Sequence, residues 1–182
     1  MAVSPQPPAR IDHIMKIILF RGRPASGKTT ISKALGLRMA LPVIHKDDIY
    51  DSLSSVIAEH SIRNKAAHDI LFSILESNTH ANATVILDFP FQNSADFSII
   101  ESWCAQHQVI LKSVLVTCTN EHLWRERLIL RSQHPLPNQL IYDFDELKKR
   151  YGSMHVEPHP SELLIDSALL LEDSIRHIID YV

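Results

Sequence analysis

Residues Ile17 to Thr30 read IILFRGRPASGKTT: an apolar run, a loop framed by two glycines, then a lysine and two hydroxyls. This order constrains the chain more than any other stretch. The apolar run Ile17 to Phe20 has the composition of a strand buried on both faces. Beyond the loop, Ile31, Ala34, Leu35 and Met39 fall on one face of a helix. Between them Gly22-Arg23-Pro24-Ala25-Ser26-Gly27-Lys28-Thr29 fits G-x-x-x-x-G-K-[ST]. In such a loop the backbone N–H groups point inward at phosphate oxygens, and the start of the following helix adds the positive end of its dipole. Gly22, Ala25, Ser26, Gly27, Lys28, Thr29 and Thr30 are therefore the candidate nucleotide-binding positions, with Lys28 reaching the β- and γ-phosphates and Thr29 offering its hydroxyl to Mg²⁺. A strand-to-helix turn with a surface lysine is the bland alternative. The chain has only four glycines, and two of them stand here.

The pattern of this first unit recurs. Strands are predicted over Lys16 to Phe20, Pro42 to His45, Thr84 to Leu87, Ile110 to Val116 and Leu163 to Ile165. Helical spacing fills the gaps: Ile62, Ala66, Ile70 and Ile74 share a face, a shorter pattern covers Phe97 to Trp103, and Leu171, Ile175, Ile178 and Ile179 line the last helix. Short apolar strands alternating with helices predict an α/β fold whose parallel sheet is covered on both faces, because each parallel crossover needs a helix. Ser132 to Leu140, SQHPLPNQL, has the turn residues of an exposed loop.

Composition narrows the function classes. With 182 residues and 45% hydrophobic content, one domain with a real core is expected. A formal net charge of -3 does not suit a protein that coats nucleic acid. Cys104 and Cys118 lack metal-ligand spacing and read as free thiols of a cytoplasmic protein. Residues 1–14, which include the proline-rich MAVSPQPPAR, read as a disordered leader, and 15–182 as a single domain; neither a signal peptide nor a membrane span is expected. His155 and His159 are four apart, but Pro158 between them argues against a shared helix face and hence a zinc pair.

Alternatives to phosphoryl transfer fit less well. A dinucleotide site would want G-x-G-x-x-G, and proline stands at position 24; a GTPase would want D-x-x-G and N-K-x-D, which are missing. An AAA-type motor module would want a longer chain. GRPASGKTTISKAL followed by LPVIHKDDIYDSL resembles the small P-loop kinases of the adenylate-kinase-like superfamily, near the polynucleotide 5′-kinase, zeta-toxin and chloramphenicol-phosphotransferase-like group. That resemblance implies a three-layer P-loop NTPase fold with a five-stranded parallel sheet, helices on both faces and a helical lid around residues 120–140. It also implies ATP and Mg²⁺ as cofactors and a hydroxyl acceptor on a small molecule or nucleotide. Nucleic acid would enter only as an end-phosphorylation substrate. Ala25 departs from the glycine that many members carry.

The resemblance carries roles onto matching residues. Asp47, in Lys46-Asp47-Asp48 after the second strand, would be the general base, with Asp48 free to cap the next helix. Asp88, ending VILD, would hold Mg²⁺ with Thr29 or contact the acceptor. Asp166, ending LLID, is weaker, since capping of the final segment explains it as well. In NEHLWRERLILRS, Arg127 and Arg131 share a helix face and would close over the phosphates as catalytic cations beside Lys28, whereas Arg125 has a partner in Glu121. The reading is a kinase; its rival is a nucleotide-binding regulatory protein with little or no acceptor activity.

Overall fold

The computed structural model describes residues 14–91 and 93–182. The leader expected over 1–14 lies, apart from Ile14, outside them. Five strands, β1 (Lys16–Arg21), β2 (Val43–His45), β3 (Thr84–Asp88), β4 (Ile110–Thr117) and β5 (Leu163–Asp166), form one sheet in the order β2-β3-β1-β4-β5. Every pairing is parallel. Among the described residues seven α-helices connect or follow them: α1 (Lys28–Met39), α2 (Lys46–Ser52), α3 (His60–Glu76), α4 (Ser94–Gln106), α5 (Glu121–Gln133), α6 (Phe144–Tyr151) and α7 (Leu171–Tyr181).

The centre of the sheet follows from β1. Ile17, Ile18, Leu19 and Phe20 are all completely buried, and each contributes roughly 1.5–3 kcal/mol through burial. Ile17 and Leu19 join a core with Leu71 and Leu75 of α3 and Ile100 of α4. Ile18 and Phe20 join another with Ile31 and Leu35 of α1 and Ile175 and Ile178 of α7. Apolar residues on both sides of one strand thus force helices onto both faces. A third cluster lies off the sheet, where Trp124 and Leu128 of α5 meet Phe144 and Leu147 of α6 and the methyl of Ala25.

Two helical expectations need correction. The buried face of α3 is Arg63, Ala67, Leu71 and Leu75, one residue on from the stripe read from the sequence. Ile62, Ile70 and Ile74 are 52%, 36% and 40% exposed. Two apolar stripes run along this helix, and partners away from it choose between them. Arg63 stacks 4.4 Å from the Tyr50 ring centroid, and His68 meets Phe89 and Phe91 edge-on at 5.7 and 5.6 Å. In α2, neither Asp47 nor Asp48 is the capping residue. His45 holds that position without a side-chain capping bond, and both carboxylates sit in the first turn, where the helix dipole favours them.

Both cysteines are free and buried, and burial pushes the Cys104 thiol up to about 12, far from thiolate chemistry. Among the described residues no helix is long and apolar enough to cross a membrane.

Candidate functional site

Because β1 lies between β3 and β4, the loop after it opens at the carboxyl ends of the strands, where a parallel sheet presents its ligand crevice. Close approach sets the loop's path. At Gly22, φ is 138°, and a Cβ would lie 2.2 Å from the Val116 carbonyl oxygen of β4. At Gly27, φ is 103°, and a Cβ would lie 2.8 Å from Ser167 Cβ. Only glycine meets both conditions. Ala25 takes a left-handed φ of 58° with a side chain, so the departure noted in the sequence carries strain. Its methyl is compensated by burial against Trp124 and Leu128, and Trp124 Nε1 donates to the Pro24 carbonyl at 2.9 Å.

The loop's chemistry gathers at a cleft of ≈ 340 Å³. Lys28 lines it and donates from Nζ to the Arg23 carbonyl at 2.9 Å. Thr29 Oγ1 donates to Asp88 Oδ2 at 2.6 Å, joining the two residues expected to hold metal. His45, opposite Asp88 in the strand register, places Nδ1 3.1 Å from the same oxygen. The carboxylate cannot donate, so this nitrogen carries the proton. Burial alone would raise the Asp88 pKa, but the His45 hydrogen bond, the Lys28 charge and the Thr29 hydroxyl hold it below the ordinary carboxylate value. Hydroxyl and ionised carboxylate oxygens side by side are the donors a hard cation such as Mg²⁺ accepts. Among the described residues no three His, Cys, Asp or Glu side chains converge. A cation here would draw the rest of its shell from phosphate and water.

Asp47 also lines the cleft. Desolvation raises its pKa, Lys46 opposes the shift, and Asp88 adds to it. Lys28 has its pKa lowered by desolvation, against the pull of Asp88 and Asp47. The crowd of carboxylates and amines is therefore poised for proton transfer and anion binding together.

The two arginines of α5 part company. Arg131 lines the cleft, and burial lowers its pKa while Asp47 and Asp88 oppose the shift. Arg127 does not line it. Its Nη1 donates to Ser167 Oγ at 2.7 Å and to the Ser26 carbonyl at 3.4 Å, and its Nη2 donates to the Ser167 carbonyl at 3.0 Å. The pair shares a helix face, but four residues of rise separate them by about 6 Å. In this conformation Arg127 braces the loop through Ser26 and Ser167. Arg125 pairs with Glu121, as expected, and also with Asp145, each at 2.8 Å, tying α5 to α6.

Thr30 is exposed and outside the residues lining the cleft; Gly22, Ser26 and Gly27 form the loop's buried or half-buried backbone. Asp166 accepts from the backbone N–H groups of Thr119 and Ala168 at 3.1 and 3.0 Å and from the Thr119 hydroxyl, so it closes a turn. His45, Lys46, His60, Arg150 and Tyr151 belong to the site or its support without having been assigned a role from sequence. Only Lys46 carried a local signal, through its place in Lys46-Asp47-Asp48.

Strand order, glycine loop and strand-end carboxylate together define an α/β P-loop nucleotide-binding protein with the fold of the small P-loop kinases. Residues 17–143 match the model of the family described as AAA domain, and the chain belongs to that family. The AAA name is shared with the motor modules set aside above on length, but the solved structures of similar fold include small kinases. A candidate kinase from Chloroflexus aurantiacus J-10-fl superposes with a TM-score of 0.72 at 17% identity, covering 92% of this chain and 98% of that one. Kti12 from Chaetomium thermophilum, in complex with ADP-AlF3, gives 0.66 at 17% identity over 91% and 98%. The APS kinase CysC from Mycobacterium tuberculosis, in complex with AMPPNP and APS, gives 0.63 at 15% identity over 92% and 97%. A search of curated proteins finds no match.

Proposed function

We propose that this protein is an ATP- and Mg²⁺-dependent kinase that transfers the γ-phosphoryl group to a hydroxyl of a small molecule or nucleotide. The observation that carries this reading is Asp47, a carboxylate of raised pKa in the same cleft as Lys28, Arg131 and the Thr29–Asp88 pair. A site built only to hold nucleotide has no use for such a base.

In the transfer the acceptor oxygen attacks the γ-phosphorus, the bond from that phosphorus to the β–γ bridging oxygen breaks, and ADP leaves. The acceptor's proton passes to Asp47. Loop N–H groups and Lys28 hold the phosphates, and Arg131 neutralises charge on the transferring group. Thr29 and Asp88 would hold Mg²⁺, which when bound neutralises β- and γ-phosphate oxygens. The helical segment α5 to α6, whose Arg131, Asn138 and Tyr151 line the cleft, is suited to act as the lid.

The test is acceptor-dependent ADP release across a panel of hydroxylated metabolites, with product identified by its mass shift. Release that requires Asp47 supports the kinase. Tight nucleotide binding with no acceptor-dependent release across the panel would favour the regulatory reading.

A further inference from the structure

Around the cleft four cations stand over aromatic rings; Lys46 and Arg150 line it, whereas Arg63 does not and Arg23 belongs to the phosphate loop itself. Lys46 Nζ lies 4.8 Å and Arg63 Cζ 4.4 Å from the Tyr50 ring centroid. Arg23 Cζ lies 4.4 Å and Arg150 Cζ 6.0 Å from the Tyr151 centroid. Among the described residues none of the four takes part in an ion pair. The distinction matters physically. A carboxylate partner cancels a cation's charge, whereas a ring quadrupole positions the cation and leaves its charge available.

A further observation points the same way. His60, which lines the cleft and bonds Tyr50, has its pKa lowered by desolvation and then by the charges of Lys46, Arg63 and Arg150. Lys46 feels the charges of Asp47 and Asp51, though neither comes within ion-pair distance, and one Asp51 oxygen is buried without a hydrogen-bond partner among the described residues. Asp51 accepts from the Asn138 amide at 2.6 Å, and Asp96 from the Asn93 amide at 2.8 Å.

Resting on the kinase reading of the loop end, we propose that the acceptor carries an anionic group, a phosphate, sulfate or carboxylate, besides the hydroxyl that is phosphorylated, and that Lys46 and Arg150 bind it. Lys46 directly precedes Asp47, so an anion on Lys46 brings the rest of the acceptor to the base. A neutral polyol would leave both cations without a partner and would be discriminated against by the same contacts.

The test is an NMR titration of the full chain with inorganic phosphate, run with the loop already saturated by AMPPNP and Mg²⁺. Amides of Gly27 to Thr29 report the loop end, and the His60 ring reports the acceptor end. Phosphate is expected to shift the His60 signals saturably, and Lys46→Ala, Lys46→Gln and Arg150→Ala should each weaken that binding by about tenfold. The exposed Lys149→Ala should leave it unchanged. A parallel acetate titration separates a carboxylate from a tetrahedral anion. No saturable shift at His60, or equal weakening by Lys149→Ala, would overturn the proposal. Failure of the kinase reading would show separately, as no acceptor-dependent ADP release by the wild type across the panel, while phosphate would still read the proposed anion site at His60.

Discussion

At the loop end of the cleft almost every group is already held by the protein. Gly22 presses on β4, the Ser26 carbonyl accepts from Arg127 and Ser167, Pro24 accepts from Trp124, and Thr29 bonds Asp88. At the other end Lys46 and Arg150 lie by tyrosine rings, and among the described residues neither forms an ion pair. The first end is organised before any ligand arrives, and the second is completed by one. Preorganised donors suit a phosphate tail that is common to every cycle, since they lose little entropy on binding. Unpaired cations suit the partner that must be told apart from others. Changes at the loop end should therefore appear in nucleotide affinity and stability, and changes at the far end in acceptor KM.

The largest expected effect lies where the two ends meet. Asp47→Asn should lower turnover by about two to four orders of magnitude with little change in ATP affinity, because the amide keeps the shape and cannot take the proton. The folded-state pKa of Asp47 is raised, so the acid limb of turnover should lie above the ordinary value of 3.8. The sign for stability follows from the same shift. A carboxylate whose pKa is raised on folding contributes most at low pH, and that contribution is lost as pH rises through the folded value. Melting temperatures of Asp47→Asn and wild type should converge in acid and separate in favour of the variant as pH rises. Equal separation at all pH would break the assignment of a raised pKa.

A smaller effect separates the two arginines of α5. Arg131→Ala should lower turnover by about ten- to a hundredfold, and lysine should rescue poorly because it lacks the planar fork. Arg127→Ala should instead weaken ATP binding and lower stability by about 1–2 kcal/mol, since it frees Ser167 and one side of the Ser26 carbonyl. Steady-state kinetics and thermal melts read both variants. Loss of turnover alone in Arg127→Ala would return it to the phosphates and blur the division between brace and catalytic cation.

The smallest effect is expected at Ala25. Glycine would relieve a left-handed strain of about 1–2 kcal/mol and give up a buried methyl of about 0.8 kcal/mol plus packing. The balance should fall within about 1 kcal/mol of zero. A larger loss would mean that the contact of Ala25 with Trp124 and Leu128 does more to hold the loop than its hydrogen bonds do.

The two ends also differed in how far they could be read in advance. The five strands were legible because each is a short run rich in aliphatic residues, and the loop because its chemistry lies in consecutive residues. Helix α6 went unread although Asp143-x-x-Glu146 is a capping pattern; Asp143 Oδ1 does accept from the N–H groups of Asp145 and Glu146, both at 2.9 Å. The spacing of Arg127 and Arg131 fixed a shared face but not which of them lines the cleft. The acceptor end draws on Lys46, His60, Arg150 and Tyr151, which no local period connects. The same holds for the buried Arg21–Glu162 pair, whose two bonds of 2.6 Å join residues 141 positions apart.

The central claim is that the loop between β1 and α1 holds the phosphates of ATP, with Lys28 as their cation. Calorimetric titration of wild type and Lys28→Ala with AMPPNP and Mg²⁺ tests it most directly. Among the described residues Lys28 Nζ bonds only the Arg23 carbonyl, so the variant should keep its fold and melting temperature. The wild type should bind one nucleotide, and Lys28→Ala should bind it roughly ten- to a hundredfold more weakly, the loss expected for a charge-assisted contact. Equal affinity in the two proteins, or no binding to the wild type, would contradict the account.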